Sequence, residues 1–246
     1  MHLSRRRGAA CRHRTARSRA SKPPVRVAAT RPIQSPHRDP ITTPVKAPRL
    51  IKVNQALARD LAEVDGDLLI LGVGGKMGPS LARMAKRAAP HKRVIGVARF
   101  SEPGLKEALQ AHGVECLAAD LLSREALAAL PDVPNVVFMA GRKFGSQGSE
   151  WLTWAMNTHL PALVAERYKA SRIVAFSTAC VYPFVPVSGP GAPESLPPTP
   201  VGEYANSCVG RERMFEHFSH LYRTPGRLIR LSYAIDMRYG VLHDLA

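Results

Sequence analysis

From Asp67 onward, short apolar runs alternate with longer stretches in which apolar residues return every third or fourth position. The short runs, bounded by Gly, Pro or polar residues, read as strands, and the longer stretches as amphipathic helices. The pattern predicts strands over 68–71, 93–98, 114–117, 135–139, 172–176 and 227–231, and helices over 77–88, 103–111, 124–130, 150–170 and 202–218, with a further short helix over 53–64. Regular alternation of strand and helix implies an α/β fold with a doubly wound parallel sheet of Rossmann type. The proline-rich stretch 182–200 fits neither period and is expected to be a loop, long enough to carry function. There is no internal repeat beyond the alternation, and no apolar run reaches the ~18 residues of a membrane span.

Composition changes this picture at one end only. The chain has 246 residues and a formal charge of +16, but residues 1–50 hold thirteen of the 35 basic side chains and one of the 19 acidic ones, Asp39. The remainder is therefore nearly balanced. The first fifty residues are also rich in proline and poor in periodic hydrophobics, the composition of a segment that cannot bury enough surface to offset its ordering entropy. Residues 1–50 are thus read as a disordered basic tail and 51–246 as the Rossmann domain. Three readings of the tail stay open: an organellar transit peptide, a basic arm for anionic surfaces, and an extension without function. With the charge confined there, nucleic acid is not the expected partner of the domain. Cys11, Cys116, Cys180 and Cys208 show no CxxC or Cys/His spacing, so no metal site or disulfide framework is expected, and the default location is the cytoplasm.

The candidate chemistry begins at LLILGVGGKMGPSLARMAKRA, where an apolar strand runs through Gly72, Gly75 and Gly78 into a helix. Gly72 permits a tight turn, Gly75 lets backbone approach a pyrophosphate, and Gly78 lets the helix pack on the strand with its amides toward the anion. Lys76 and Met77 travel in the same turn. After the second strand, where an acid would bind the adenosine ribose of NAD, the sequence reads VIGVARF. Arg99 there suits a 2′-phosphate, which favours NADP over NAD.

The Gly-x-x-Gly-x-x-Gly spacing resembles the extended short-chain dehydrogenase/reductase family, the NAD-dependent epimerases and dehydratases. Further marks follow in order. Asp120 and Leu121 after the third strand resemble the family's Asp-hydrophobic pair at the adenine, and Ala140-Gly141 its turn beneath the cofactor. Asn157 matches a structural Asn of the following helix, although an exposed polar position explains it equally well. The fifth strand ends RIVAFSTACVYPF, where Thr178 matches the catalytic hydroxyl and Ser177 is the neighbour that could be confused with it. Tyr204 matches the tyrosine of the family's YxxxK helix, but Cys208 stands where the lysine belongs.

The resemblance implies that Tyr204 is the acid/base, with Thr178 orienting the reacting oxygen. The family lysine holds the nicotinamide ribose and lowers the phenol's pKa from about 10. Two cations are candidates to replace it. Lys143, two residues past the Ala-Gly turn, is the favoured one. Arg211 lies seven residues beyond Tyr204, about 10 Å along the helix, too far for direct contact in a straight helix. A redox role for Cys180 and Cys208 is less favoured than plain burial, and His217 and His220 are expected at the surface.

The expected function is an NAD(P)-dependent oxidoreductase or epimerase-like activity on a hydroxyl or carbonyl of a small-molecule substrate, a sugar nucleotide being the family-level expectation. The alternative is a non-catalytic NAD(P)-binding sensor or scaffold, favoured by Cys208 and by a C-terminal substrate region that the sequence largely lacks. The family also suggests a homodimer through 150–170 and 202–218.

Overall fold

A computed structural model describes residues 55–145 and 147–232. The expected tail, 1–50, lies outside them. Within the described residues six strands form one wholly parallel sheet: β1 Leu68–Leu71, β2 Val94–Ala98, β3 Glu115–Ala118, β4 Asn135–Phe138, β5 Arg172–Thr178 and β6 Gly226–Leu231, in the order β3-β2-β1-β4-β5-β6. The helices are α1 Gln55–Glu63, α2 Gly78–Ala88, α3 Leu105–Gln110, α4 Arg124–Ala128, α5 Glu150–Trp154, α6 Leu160–Arg167 and α7 Gly202–Tyr222. No helix among the described residues is long and apolar enough to cross a membrane.

The strand alternation sets the layers. Leu69 and Leu71 of β1 join Phe138, Leu160, Val164 and Phe215 in one buried cluster, while Ile70 joins Ala82, Ala85 and Leu109 in another on the opposite face. Helices therefore cover both faces, as a parallel sheet requires. The chain winds outward from β1 through β2 to β3, then returns to the other side of β1 as β4. Loops leaving the C-terminal ends of β1 and β4 diverge there and open a crevice, the place where ligands bind in such sheets.

Two differences from the expected elements shape that crevice. The stretch 150–170 is not one uniform helix: a π-helical turn, Ala155–His159, separates α5 from α6. Pro161 follows it and has no N–H to return to Asn157, so the ladder loosens at this point. And β5 extends two residues further than its apolar run, to Thr178, because β6 pairs with it as far as Thr178↔Leu231.

Candidate active site

The glycine turn joins the two halves of the crevice. Gly72 closes β1 with φ +89°, and a Cβ there would lie 2.5 Å from the backbone nitrogen of Ala140, so the β1 and β4 loops are in backbone contact. Gly78 opens α2 against Val73, whose carbonyl a Cβ at 78 would meet at 2.2 Å. Gly75, by contrast, is exposed, and a Cβ there would find only ordinary contact at 3.5 Å; its missing side chain leaves backbone open to the cleft. No side chain caps α2; the Gly78 amide turns back to the Gly75 carbonyl at 3.2 Å, and Pro79 carries none.

Two connected stretches of the crevice run from this turn. One, about 500 Å³, is walled by Gly72, Gly74, Gly75, Arg99, Asp120, Leu121, Ala140 and Gly141 among others. Arg99 and Asp120 are exposed at its rim and Leu121 is buried. The Asp120 carboxylate accepts the Leu122 amide at 3.0 Å. The other, about 230 Å³, leads from Gly75, Lys76, Met77 and Gly78 to Tyr204. Lys76, Arg142, Lys143 and Arg211 stand among its described walls and no carboxylate does. Nε of Arg142 and Nε of Arg211 are buried there without a hydrogen-bond partner. Orphaned cationic donors and an acid-free wall fit an anionic dinucleotide. Beyond Tyr204 lies a third space of about 610 Å³, bounded by Lys143, Thr178, Cys180, Tyr182, Phe184 and Val201.

Neighbouring residues of β5 face opposite ways. Ser177 donates to the Glu212 carboxylate at 2.6 Å, inside the fold. Thr178, also buried, accepts the Cys180 amide at 3.2 Å, and its hydroxyl faces the Tyr204 phenol. The structure thus places Thr178, not Ser177, beside the tyrosine. Burial pushes the Tyr204 phenol up to about 12, the neighbouring Cys208 thiol adds to the rise, and the Thr178 hydroxyl and the Arg211 charge pull it back. Cys208 is fully buried, and burial raises its thiol above the usual range. Lys143 is exposed, its Nζ 5.7 Å from the centre of the Tyr204 ring and equally far from that of Phe144.

Asn157 is buried completely, so the exposed position open to it in the sequence is corrected: the π turn directs it inward. Its amide grips the β4 loop, accepting the Arg142 N–H at 2.8 Å and donating to the Arg142 carbonyl at 2.8 Å and to Ser207 Oγ at 3.0 Å. Arg211 is buried as well; one guanidinium nitrogen donates to the Phe176 carbonyl at 2.7 Å and another to Asn157 Oδ1 at 2.8 Å. A Cβ on Gly141 would lie 2.4 Å from that second nitrogen, so the β4 turn rests on the guanidinium. His217 and His220 are exposed, as expected.

Sequence reasoning missed one group. Glu212 is fully buried, paired with Arg230 at 2.8 Å, and Arg230 also donates to the Glu194 carbonyl at 3.3 Å and lies 4.8 Å over the Tyr182 ring. Arg230 thereby fastens the loop 182–200 to the core at its start and again at Glu194. The available signal was a charge in the middle of the apolar strand RLIRL.

A family model for the NAD-dependent epimerases and dehydratases matches residues 68–235, about two thirds of the chain. The chain belongs to the NAD-dependent epimerase/dehydratase family. Similar solved structures share its fold. A UDP-glucuronic acid 4-epimerase from Bacillus cereus, solved with UDP-glucuronic acid and NAD, is 18% identical with a TM-score of 0.56 over 67% of this chain and 55% of its own. A UDP-Glc/GlcNAc 4-epimerase from Campylobacter jejuni is 19% identical, TM-score 0.60, over 68% and 53%. A dTDP-glucose 4,6-dehydratase from Bacillus anthracis, solved with NAD, is 17% identical, TM-score 0.59, over 68% and 54%. This chain thus spans about half the length of these structures. A search of the curated proteins finds no match.

Proposed function

We propose that this protein is an NAD(P)-dependent oxidoreductase or epimerase-like enzyme acting on a hydroxyl or carbonyl carbon, with a sugar nucleotide as the expected substrate class. The observation that carries the reading is the meeting of Thr178 and Tyr204, from two different elements, at the junction of the dinucleotide crevice and the 610 Å³ space beyond it.

Gly72, Gly75, Lys76, Met77 and Gly78 would hold the pyrophosphate, Asp120 and Leu121 the adenine, Ala140 and Gly141 the underside of the dinucleotide, and Lys143 the nicotinamide ribose. Arg99 at the rim favours a 2′-phosphate and therefore NADP. The nicotinamide, when bound, supplies hydride exchange. The protein's part is the proton. A phenol held near 12 is fully protonated at neutral pH, so Tyr204 is set to donate to a substrate oxygen, with Thr178 aligning that oxygen. Acceptance of a proton in the opposite direction improves as pH rises. A cytoplasmic enzyme and a homodimer across 150–170 and 202–218 belong to the same proposal, and sedimentation of the purified chain tests the latter.

The experiment has two stages. NADPH and NADH are titrated separately, following quenching of Trp151 and Trp154, and a panel of sugar nucleotides and small carbonyls is then assayed with the wild type and Tyr204→Phe. The proposal expects saturable binding by both chains and at least ~100-fold slower turnover in the variant, the scale of one general acid. Binding without turnover by the wild type favours the second reading, a non-catalytic NAD(P)-binding module, for which the buried thiol of Cys208 and the raised phenol of Tyr204 speak.

A further inference from the structure

The replacement of lysine by Cys208 removes a cation one helical turn from Tyr204, yet a different cation is built into the same corner. Side chains on a helix lean toward its N-terminus, so Arg211 reaches back past Cys208. Its guanidinium is fixed on three sides: by the Phe176 carbonyl of β5 at 2.7 Å, by Asn157 Oδ1 at 2.8 Å, and by the face of Phe138, whose ring centre is 5.6 Å away. Asn157 donates in turn to Ser207 Oγ at 3.0 Å, and Ser207 Oγ donates to the Tyr204 carbonyl at 2.7 Å. The chain of contacts therefore runs from Arg211 to the tyrosine's own turn of helix. Arg211 also lines the space that ends at Tyr204, with Nε buried and unpartnered.

We infer that Arg211 is a positioning residue that supplies to Tyr204 the standing positive charge that Cys208 does not, from a guanidinium locked beneath the β4 turn. The inference rests on the proposed reading of Tyr204 as the acid/base. Burying a cation at this position is costly unless it is hydrogen-bonded and useful, and arginine is the side chain that stays charged there. Lys143 approaches the same ring from the solvent side, where ions screen its charge; a buried charge is screened far less. The two cations thus divide the work of the absent lysine: Lys143 faces the ribose, and Arg211 biases the phenol. The other groups facing Tyr204 are the Thr178 hydroxyl of β5, which favours the phenolate, and the Cys208 thiol of α7, which opposes it, with Cys180 beyond. Glu150 and Glu203 stand on the walls of the outer space.

The test reads the phenol directly and needs neither substrate nor turnover. Difluorotyrosine, whose phenol ionises at lower pH, is incorporated at position 204 of the full chain, and its ionisation is followed by fluorine NMR. Arg211→Gln, which keeps a donor but no charge, is expected to raise the midpoint by about one pH unit, the scale of one charge at an effective dielectric of ~20. Arg211→Lys should stay near the wild type, and Cys208→Lys added to Arg211→Gln should bring the midpoint back down. A merely structural Arg211 predicts lowered stability with an unmoved midpoint, or a raised midpoint that Cys208→Lys does not restore; either result overturns the inference. If Arg211→Gln does not fold, the double variant decides: a folded chain with a wild-type midpoint supports the inference, and failure to fold or a raised midpoint overturns it. A shifted phenol together with full turnover in Tyr204→Phe would sink the reading of Tyr204 as the acid/base and leave the charge assignment standing; an unmoved phenol with turnover lost would do the reverse.

Discussion

At the scale of single residues, orientation decides more than identity. Ser177 and Thr178 are adjacent hydroxyls, and alternation along β5 sends one to Glu212 and the other to Tyr204. Tyr204 and Cys208 were legible only as a family resemblance. The burial that raises the phenol was not, because it comes from β5 and the β4 loop, far away in sequence. Arg99 is the residue on which cofactor choice is argued, since it stands exposed at the rim of the 500 Å³ cleft with no acid in its place. A charge-assisted contact to a 2′-phosphate contributes ~1.5–3 kcal/mol. Arg99→Ala is therefore expected to weaken NADPH binding roughly tenfold or more and to leave NADH nearly unchanged in parallel fluorescence titrations; equal losses for both would refute the NADP preference.

At the scale of elements, the strands and helices were read in the right order, with ends moved by at most four residues, apart from 150–170, which is split by the π turn. Helix and strand ends depend on capping and on pairing with neighbours. Ser123, whose Oγ accepts the Ala126 amide at 3.1 Å, fixes the start of α4, whereas β5 reaches Thr178 only because β6 lies beside it. The π turn before Pro161 escaped the period analysis, since one widened turn hardly disturbs an apolar stripe, yet it carries Asn157 inward. Glu212 and Arg230 join α7, β6 and the loop 182–200. Arg230→Met would strand the fully buried Glu212 carboxylate. The expected cost is ~3–5 kcal/mol, read as a fall in the urea midpoint, with faster proteolysis within 182–200 as the local signature.

For the whole molecule, two phenols make stability depend on pH. Tyr168 and Tyr204 are each pushed up to about 12, burial being the main cause. In the unfolded chain both ionise near 10. Between those values the folded state keeps protons that the unfolded state releases, so this contribution is complete below about pH 10 and is lost as pH rises toward about 12. Thermal midpoints should fall steeply over that window. Tyr168→Phe, which gives up one hydrogen bond to the Pro131 carbonyl at 3.3 Å, should flatten the fall; an unchanged slope would show that other groups govern it.

The sequence by itself determined the alternation of strands and helices and the glycine turn, because these are local: they are written in periods of two and 3.6 residues or in spacings within one turn. The tertiary structure decided the strand order β3-β2-β1-β4-β5-β6 and hence the crevice between β1 and β4. It also decided the pairing of Glu212 with Arg230, the burial of Asn157, and the reach of Arg211 under Gly141. These depend on contacts between residues 15 to 70 positions apart. A side chain's distance along one helix states how far its backbone lies from Tyr204; only packing against β4 and β5 states where its charge comes to rest.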